Sequence, residues 1–218
     1  MPSTQEILLG LSSVANQWRH VAIAWHAAVG AWLLAILGGW RPSTRVTAYV
    51  LVSPLVSVMI AAFASGNVVN GMMFGVLSFV LGSSAGRFSR EPIRMTSPVI
   101  AIPAVLLIAF GWGYPHFLET DQWTEYAYAA PLGLLPCPTL SAVTGLSMVC
   151  SEFRSRVWAF TLAAAGVLYG AIGVFVLGVT LDYVLLAGAI AAVGTFAMSI
   201  HHKALAHGRH NRFDRVAQ

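Results

Sequence analysis

The chain has 218 residues, of which 57% are hydrophobic and only 9% are charged, and its formal net charge is +4. Soluble domains contain about 25% charged residues, and a single water-soluble core of this size does not bury so much apolar surface. The composition therefore excludes a soluble enzyme, a nucleic-acid-binding domain and a disordered chain. It predicts an all-α protein, a polytopic transmembrane helix bundle in contact with a lipid bilayer.

The first 20 residues predict an amphipathic helix that lies on the outer membrane surface. Ser3 and Glu6 have the spacing of a capping box, which marks the start of a helix. The apolar residues that follow recur at helical spacing on one face: Ile7, Leu11, Val14 and Trp18. Such a helix lies in the plane of the membrane surface, with its apolar face toward the lipid acyl chains. A disordered leader is the alternative interpretation.

Seven apolar segments follow this helix. A helix needs about 20 mostly apolar residues to cross the hydrocarbon core of a bilayer. The candidate segments are 21–39, 46–65, 68–86, 98–114, 128–150, 157–179 and 182–200. They predict one transmembrane domain over residues 21–200, which is followed by a basic, His-rich cytoplasmic tail over residues 201–218.

The basic residues indicate an orientation in the membrane. Eleven of the twelve Lys and Arg residues follow the first, third, fifth or seventh segment. Cytoplasmic loops of membrane proteins are enriched in Lys and Arg, so the pattern predicts an N-terminus outside and a C-terminus inside. It also requires an odd number of segments. We expect the basic tail to contact anionic lipid.

Aromatic residues lie near the predicted ends of the segments. Trp and Tyr side chains are enriched at both membrane interfaces, where they anchor helices. The predicted anchors are Trp40 and Trp158 on the inside and Trp112, Tyr114, Trp123, Tyr126 and Tyr128 on the outside.

The fifth segment contains the most unusual sequence of the chain, Gly-Leu-Leu-Pro-Cys-Pro-Thr at residues 133–139, with Pro131 just before it. Proline lacks a backbone donor and clashes with the carbonyl one turn back, so this segment predicts a Pro-broken fifth helix. Broken helices at membrane depth often form binding sites. The predicted substrate site at residues 131–144 includes Pro136, Cys137, Pro138 and Thr139. A structural kink with Cys137 as a small apolar filler is the alternative.

Three further polar residues are predicted to join this site: His26, Asn70 and Asp182. With a rise of about 1.5 Å per residue, His26 lies about 8 Å and Cys137 about 14 Å below the outer edge. We expect these residues to line one outer cavity near Trp112, Tyr114 and His116, although hydrogen bonds to neighbouring helices would also explain them. His, Cys and Asp are competent metal ligands, but no ligand-spacing motif is present, and no cofactor is indicated.

The Pro-Cys-Pro segment resembles a known group of proteins. Together with Asn70 before a glycine-rich stretch and Asp182-Tyr183 near the last segment, it is similar to an uncharacterised family of small bacterial polytopic inner-membrane proteins with a Gly-Leu-x-Pro-Cys-Pro-Thr signature. The resemblance covers most of the chain and implies a multi-pass protein of the bacterial inner membrane. Ala61 and Ala62 stand where that family has a Tyr-His pair. Nickel/cobalt exporters share only the short motif.

The sequence leaves three functions open. The first is a transporter or permease-like carrier of a small, uncharged or weakly charged solute, with its site at the broken fifth helix. The second is a non-catalytic subunit or scaffold that docks a partner membrane protein, a second copy, a lipid or a pigment through glycine-rich faces. The third is a transition-metal carrier that uses Cys137, His26 and Asp182. An enzyme is less favoured, because no nucleophile with a nearby base is recognisable.

Overall fold

The protein is described here by a computed structural model over residues 3–153 and 155–194, and this part of the chain is helical without strands. The helices are α1 (Thr4–Gln17), α2 (Arg19–Leu37), α3 (Thr44–Ala64), α4 (Val68–Ala85), α5 (Pro98–Trp112), α6 (Tyr126–Ala129), α7 (Pro136–Val149), α8 (Arg156–Ala171) and α9 (Thr180–Gly194). The predicted all-α class is confirmed. The tail at 201–218 and the end of the last predicted segment lie outside the described residues.

Within residues 3–153 and 155–194, four helices are long and apolar enough to cross a membrane: α2, α3, α4 and α8 with its continuation to Val176. The helices α5 and α9 are apolar but shorter, and α7 has 14 residues. Large apolar side chains on α4 and α5, among them Phe79 and Val99, point away from the protein. An apolar exterior of this kind marks a surface that contacts lipid or another apolar partner. These features fit a multi-pass membrane protein.

Helix α1 begins as the sequence predicts. The Ser3 hydroxyl accepts the Glu6 backbone N–H, and the Glu6 carboxylate accepts the Ser3 backbone N–H at 2.7 Å, which completes the capping box. The helix is held against the loop that follows α5. Asn16 donates its side-chain amide to the Phe117 carbonyl at 3.0 Å and accepts the Glu119 N–H at 2.9 Å.

The loops that carry the arginines meet at one end of the bundle. Thr44 at the start of α3 donates its N–H to the Glu91 carbonyl at 2.9 Å, and Ser151 after α7 donates its N–H to the Arg94 carbonyl at 3.0 Å. The loops after α2, α4 and α7 are therefore neighbours. We call this the basic end. The opposite end contains α1, the α3–α4 connection and the loop after α5.

Helix α7 forms the buried centre of the fold, since twelve of its fourteen residues are buried. Helix α5 approaches it closely because two glycines leave the space free. A Cβ atom on Gly111 would overlap the Pro138 carbonyl oxygen, and one on Gly145 would lie 2.5 Å from the Ala104 carbonyl oxygen. The two backbones are therefore in direct contact.

The predicted fifth segment consists of two helices and a turn. Helix α6 ends at Ala129, the backbone turns through residues 130–135, and α7 begins at Pro136. Gly133 in the turn has a φ of +74°, a conformation that glycine adopts without strain. The first turn of α7 contains two prolines, which have no N–H groups that would need partners in a buried helix start. The proline-rich sequence thus starts a helix inside the protein.

Two of the predicted interface aromatics are buried within the protein. Trp158 is fully buried, and its indole N–H donates to the Ser147 hydroxyl at 3.1 Å. Tyr114 is also fully buried. The prediction that they anchor the chain at the membrane surface is wrong, because a protein partner satisfies the polar tip of each side chain. Trp123 is 81% exposed, as an anchor requires.

The close contact between α5 and α7 leads to a stability prediction. We expect Gly111→Ala to lower the free energy of unfolding by about 1–3 kcal/mol, because the methyl group forces two backbones apart. Gly82→Ala on α4 is the control, since its added Cβ meets nothing within 4 Å. Thermal unfolding in detergent micelles, followed by circular dichroism, compares them. Equal stability of the two variants would contradict the close packing.

Candidate functional site

A cavity of about 680 Å³ lies at the end opposite the basic end. Binding sites for small molecules in proteins have volumes of about 300–1,000 Å³. Its walls come from α1, the α3–α4 connection, the start of α7 and the end of α8. The apolar face of α1 contributes Ile7, Leu11 and Val14. The face that the sequence assigns to the membrane surface therefore contacts this cavity.

The buried carboxylate of Asp182 lies on the cavity wall and is only 2% exposed. The Tyr114 hydroxyl donates to Asp182 Oδ1 at 2.8 Å, and the Cys137 thiol donates to Oδ2 at 3.1 Å. Within residues 3–153 and 155–194, the one ion pair joins Arg19 and Glu125, which leaves Asp182 without a cationic side-chain partner there. Two neutral donors therefore hold this carboxylate.

The backbone before Asp182 makes room for it with a widened helical turn. Residues Ile172–Val176 form a π-helix, in which the Leu177 N–H donates to the Ile172 carbonyl at 3.0 Å. Such turns occur frequently at functional sites. A Cβ atom on Gly173 would overlap the Asp182 carboxylate. The π-helix and this glycine together let the chain reverse and place Asp182 beside α7.

A second polar pair lines the same cavity. The Tyr169 hydroxyl of α8 donates to Asn70 Oδ1 of α4 at 3.1 Å. The backbone N–H of Asn70 donates to the Asn67 side chain, which caps α4. The pair ties α4 to α8 and adds hydroxyl and amide groups to a mostly apolar surface.

The rim of the cavity carries Glu6. The backbone N–H of Ser3 donates to its carboxylate, and this hydrogen bond lowers the pKa of Glu6 below its ordinary value. The carboxylate is therefore ionised at neutral pH. Its contribution to the capping box is present above pH 4.5 and is lost as the pH falls through the lowered pKa, because protonation removes the charged acceptor.

Five of the seven predicted site residues line this cavity: Asn70, Pro136, Cys137, Pro138 and Asp182. Thr139 is fully buried, and its hydroxyl accepts the Gly133 N–H at 2.9 Å, which fixes the turn before α7. His26 lies elsewhere. Its Nε2 is 2.8 Å from the Trp112 carbonyl oxygen and its Nδ1 is 2.8 Å from the Ala22 carbonyl oxygen. Thr139 therefore holds the turn before α7, and His26 contacts the end of α5. Neither residue lines the cavity.

Sequence reasoning missed two residues that shape the site, Tyr169 and Gly173, and it placed Tyr114 near the expected cavity without giving it a role there. Tyr114 lies near a predicted segment end, which made an interface anchor the simpler interpretation. Tyr169 gave a usable signal, because a hydroxyl in the middle of an apolar segment needs a hydrogen-bond partner. The role of Gly173 depends on a π-helical turn, for which the sequence carries no local signal.

The described residues bring two potential metal ligands of the site into contact, Cys137 and Asp182. Within the described residues, no group of three or more His, Cys, Asp or Glu side chains is arranged to bind one. Cys137 and Asp182 are in contact, but His26 is bound to Trp112. Protein zinc sites use at least three side-chain ligands. The geometry therefore favours a small-molecule site over a metal centre.

No family model matches the chain, and comparison with curated proteins and with solved structures finds no match either. The resemblance to an uncharacterised bacterial family therefore stays a prediction from the motif.

The hydrogen bond between Tyr114 and Asp182 leads to a second prediction. We expect Tyr114→Phe to lower the free energy of unfolding by about 1–3 kcal/mol, because a buried carboxylate oxygen loses a donor. Tyr128→Phe is the matched control, since Tyr128 is 47% exposed. Denaturant unfolding in micelles measures both. A Tyr114→Phe variant as stable as the Tyr128→Phe control would mean that the bond contributes nothing.

Proposed function

We propose that this chain is a multi-pass carrier of the bacterial inner membrane, which binds a small, uncharged or weakly charged solute at the broken fifth segment, residues 131–144. One observation supports the proposal above all others. Asn70, Cys137 and Asp182 come from three distant parts of the sequence, and they line a single cavity of about 680 Å³. A packed structural kink gives no reason for a space of this size beside the Pro-Cys-Pro sequence.

The proposal includes seven spans with the N-terminus outside. The contacts among the loops at the basic end support this topology, because loops on one side of a membrane are neighbours and cytoplasmic loops carry Arg and Lys. The cavity lies at the other end, so it opens to the outer side. Helix α7 is about 21 Å long at 1.5 Å per residue, shorter than a hydrocarbon core of about 30 Å. The turn and α6 complete its crossing.

The residues that line the cavity indicate which kind of solute binds there. Most lining side chains are apolar, such as Leu11, Val58 and Leu134. Polar side chains pair in two places, at Asp182 with Cys137 and at Asn70 with Tyr169, and Glu6, Ser65 and Asn67 also line the cavity. Binding sites of this kind take molecules with an apolar body, and the few polar groups fix the orientation. We therefore expect a solute with one polar group.

Two of the three Gly-x-x-x-Gly patterns, at 71–75 and 166–170, give less support to a scaffold, whereas Gly82 of the third pattern, at 82–86, has open space beside it. The glycines at 71 and 166 pack inside the fold, where added Cβ atoms would lie 2.7 Å from Phe63 and 2.8 Å from Ala189. A Cβ on Gly170 would lie 3.0 Å from the Leu186 backbone nitrogen. A scaffold that docks partners through these glycines needs them on its outer surface. Their use inside the bundle favours the carrier.

The carrier proposal predicts that the cavity is reachable from outside. In a Cys150→Ser background, we expect a small membrane-impermeant thiol reagent added to intact cells to modify Cys137. Gly10→Trp should slow this modification about tenfold or more, because Gly10 lines the cavity and a Trp there narrows it. Leu9→Trp is the matched control, since Leu9 is 70% exposed on the same helix. Mass spectrometry of the purified protein measures the rates.

A second cysteine is needed as a reporter, because the Cys137 thiol reacts slowly while it stays protonated. The thiolate is the reactive form, and Cys137 shares its hydrogen with Asp182. Ala62→Cys, in a chain with both native cysteines changed to Ser, places a thiol on the cavity wall away from Cys137. If neither reporter reacts from outside in a folded, inserted protein, the outward-open carrier is wrong.

A further inference from the structure

The charged side chains on the cavity wall share one sign. In the described part of the chain, the charged residues that line it are Glu6 at the rim and Asp182 at the far wall, and no Lys, Arg or His lines it there. Clefts lined by one sign of charge in a low-dielectric surrounding concentrate ligands of the opposite sign. The cavity therefore has the electrostatics of a cation site.

No Lys or Arg side chain pairs with Asp182 in the described part of the chain. Its hydrogen-bond donors are the neutral side chains of Tyr114 and Cys137. His116 is the titratable group behind them, and it packs on Tyr114 at a ring distance of 6.4 Å without lining the cavity. A buried carboxylate is unfavourable unless a partner with opposite charge or strong donors accompanies it. A cationic ligand supplies both.

The Asp182 carboxylate has lone pairs that accept no hydrogen bond from the protein. A carboxylate oxygen has two lone pairs, and each Asp182 oxygen accepts one bond from the protein. An ammonium group can donate N–H hydrogen bonds to the lone pairs that remain free on these oxygens. The Tyr169 hydroxyl and the Asn70 side chain add acceptor oxygens on the same wall.

The apolar walls select among cations. A metal ion or its hydrated form needs several oxygen or nitrogen ligands, which Leu11, Val14 and Val58 do not offer. An organic cation buries its hydrocarbon part against these side chains and presents one charged group to the carboxylate. The arrangement therefore fits an amphipathic amine.

We infer that the cavity binds a protonated primary or secondary amine with an apolar tail, the ammonium group on the Asp182 carboxylate and the tail between α1 and α3. This inference rests on the proposed solute site and names the chemical class of its solute. In this inference, Glu6 attracts the cation at the rim of the cavity, and Asp182 binds its ammonium group.

Three ligands of nearly equal shape test the inference: 2-phenylethylamine, 2-phenylethanol and phenylacetate. Their affinities for the purified protein in lipid nanodiscs are measured by thermal shift and by protection of Cys137 from a thiol reagent in the Cys150→Ser background. We expect the amine to bind about tenfold or more tightly than the alcohol, because a charge-assisted hydrogen bond replaces a neutral one. Phenylacetate should bind most weakly.

Asp182→Asn separates the charge from the shape of the site. The variant keeps an oxygen acceptor for Tyr114 but removes the negative charge, so we expect the preference for the amine over the alcohol to disappear. Asp121→Asn is the matched control, because Asp121 lies in an exposed loop and does not line the cavity. It should keep the wild-type preference.

The outcomes distinguish the inference from the proposed function. If the alcohol binds the wild-type protein as tightly as the amine, or if Asp182→Asn keeps the preference, the amine site is wrong while a solute cavity stands. If none of the three ligands binds while the thiol reagent still reaches Cys137 from outside, the amine site is wrong and the solute cavity stands, and if the reagent reaches neither thiol reporter, both proposals are overturned. The wild-type comparison decides the question even if Asp182→Asn does not fold.

Discussion

A carboxylate buried in an apolar bundle determines how the parts of this site are arranged. Asp182 receives hydrogen bonds from Tyr114, which follows α5, and from Cys137 at the start of α7. An unsatisfied buried carboxylate would be strongly destabilising, so these bonds tie three regions of the chain to one point. The π-helical turn and Gly173 lie next to the carboxylate. Because Gly173 has no side chain, the carboxylate fits into the space beside it.

The start of α7 solves a related problem. A helix that begins inside a bundle exposes backbone N–H groups that find no water. Pro136 and Pro138 have no such groups, and Thr139 accepts the Gly133 N–H of the preceding turn. The proline-rich sequence that breaks the predicted span therefore also permits a buried helix start. This leaves Cys137 at the edge of the cavity, next to Asp182.

The sequence predicted the helical class and five of the residues that line the cavity, but not their contacts. Apolar segments and the capping box are local signals, and α1 to α5 begin and end near the predicted residues. The proline-rich segment correctly drew attention to Cys137. His26 was grouped with Cys137 because both lie early in their segments, yet the direction of a side chain around a helix depends on packing, and His26 faces Trp112. For the same reason Tyr114 was assigned to the membrane surface.

The central claim is that the cavity holds a solute whose polar group lies against Asp182. Solid-state NMR on the protein in lipid bilayers measures this contact, as a dipolar coupling between 15N in 2-phenylethylamine and 13Cγ in labelled aspartate, with Asp182→Asn identifying the signal. The account predicts a coupling that corresponds to a separation within about 4 Å, as in an ion pair. Bound amine that shows no coupling to the Asp182 carboxylate would contradict it.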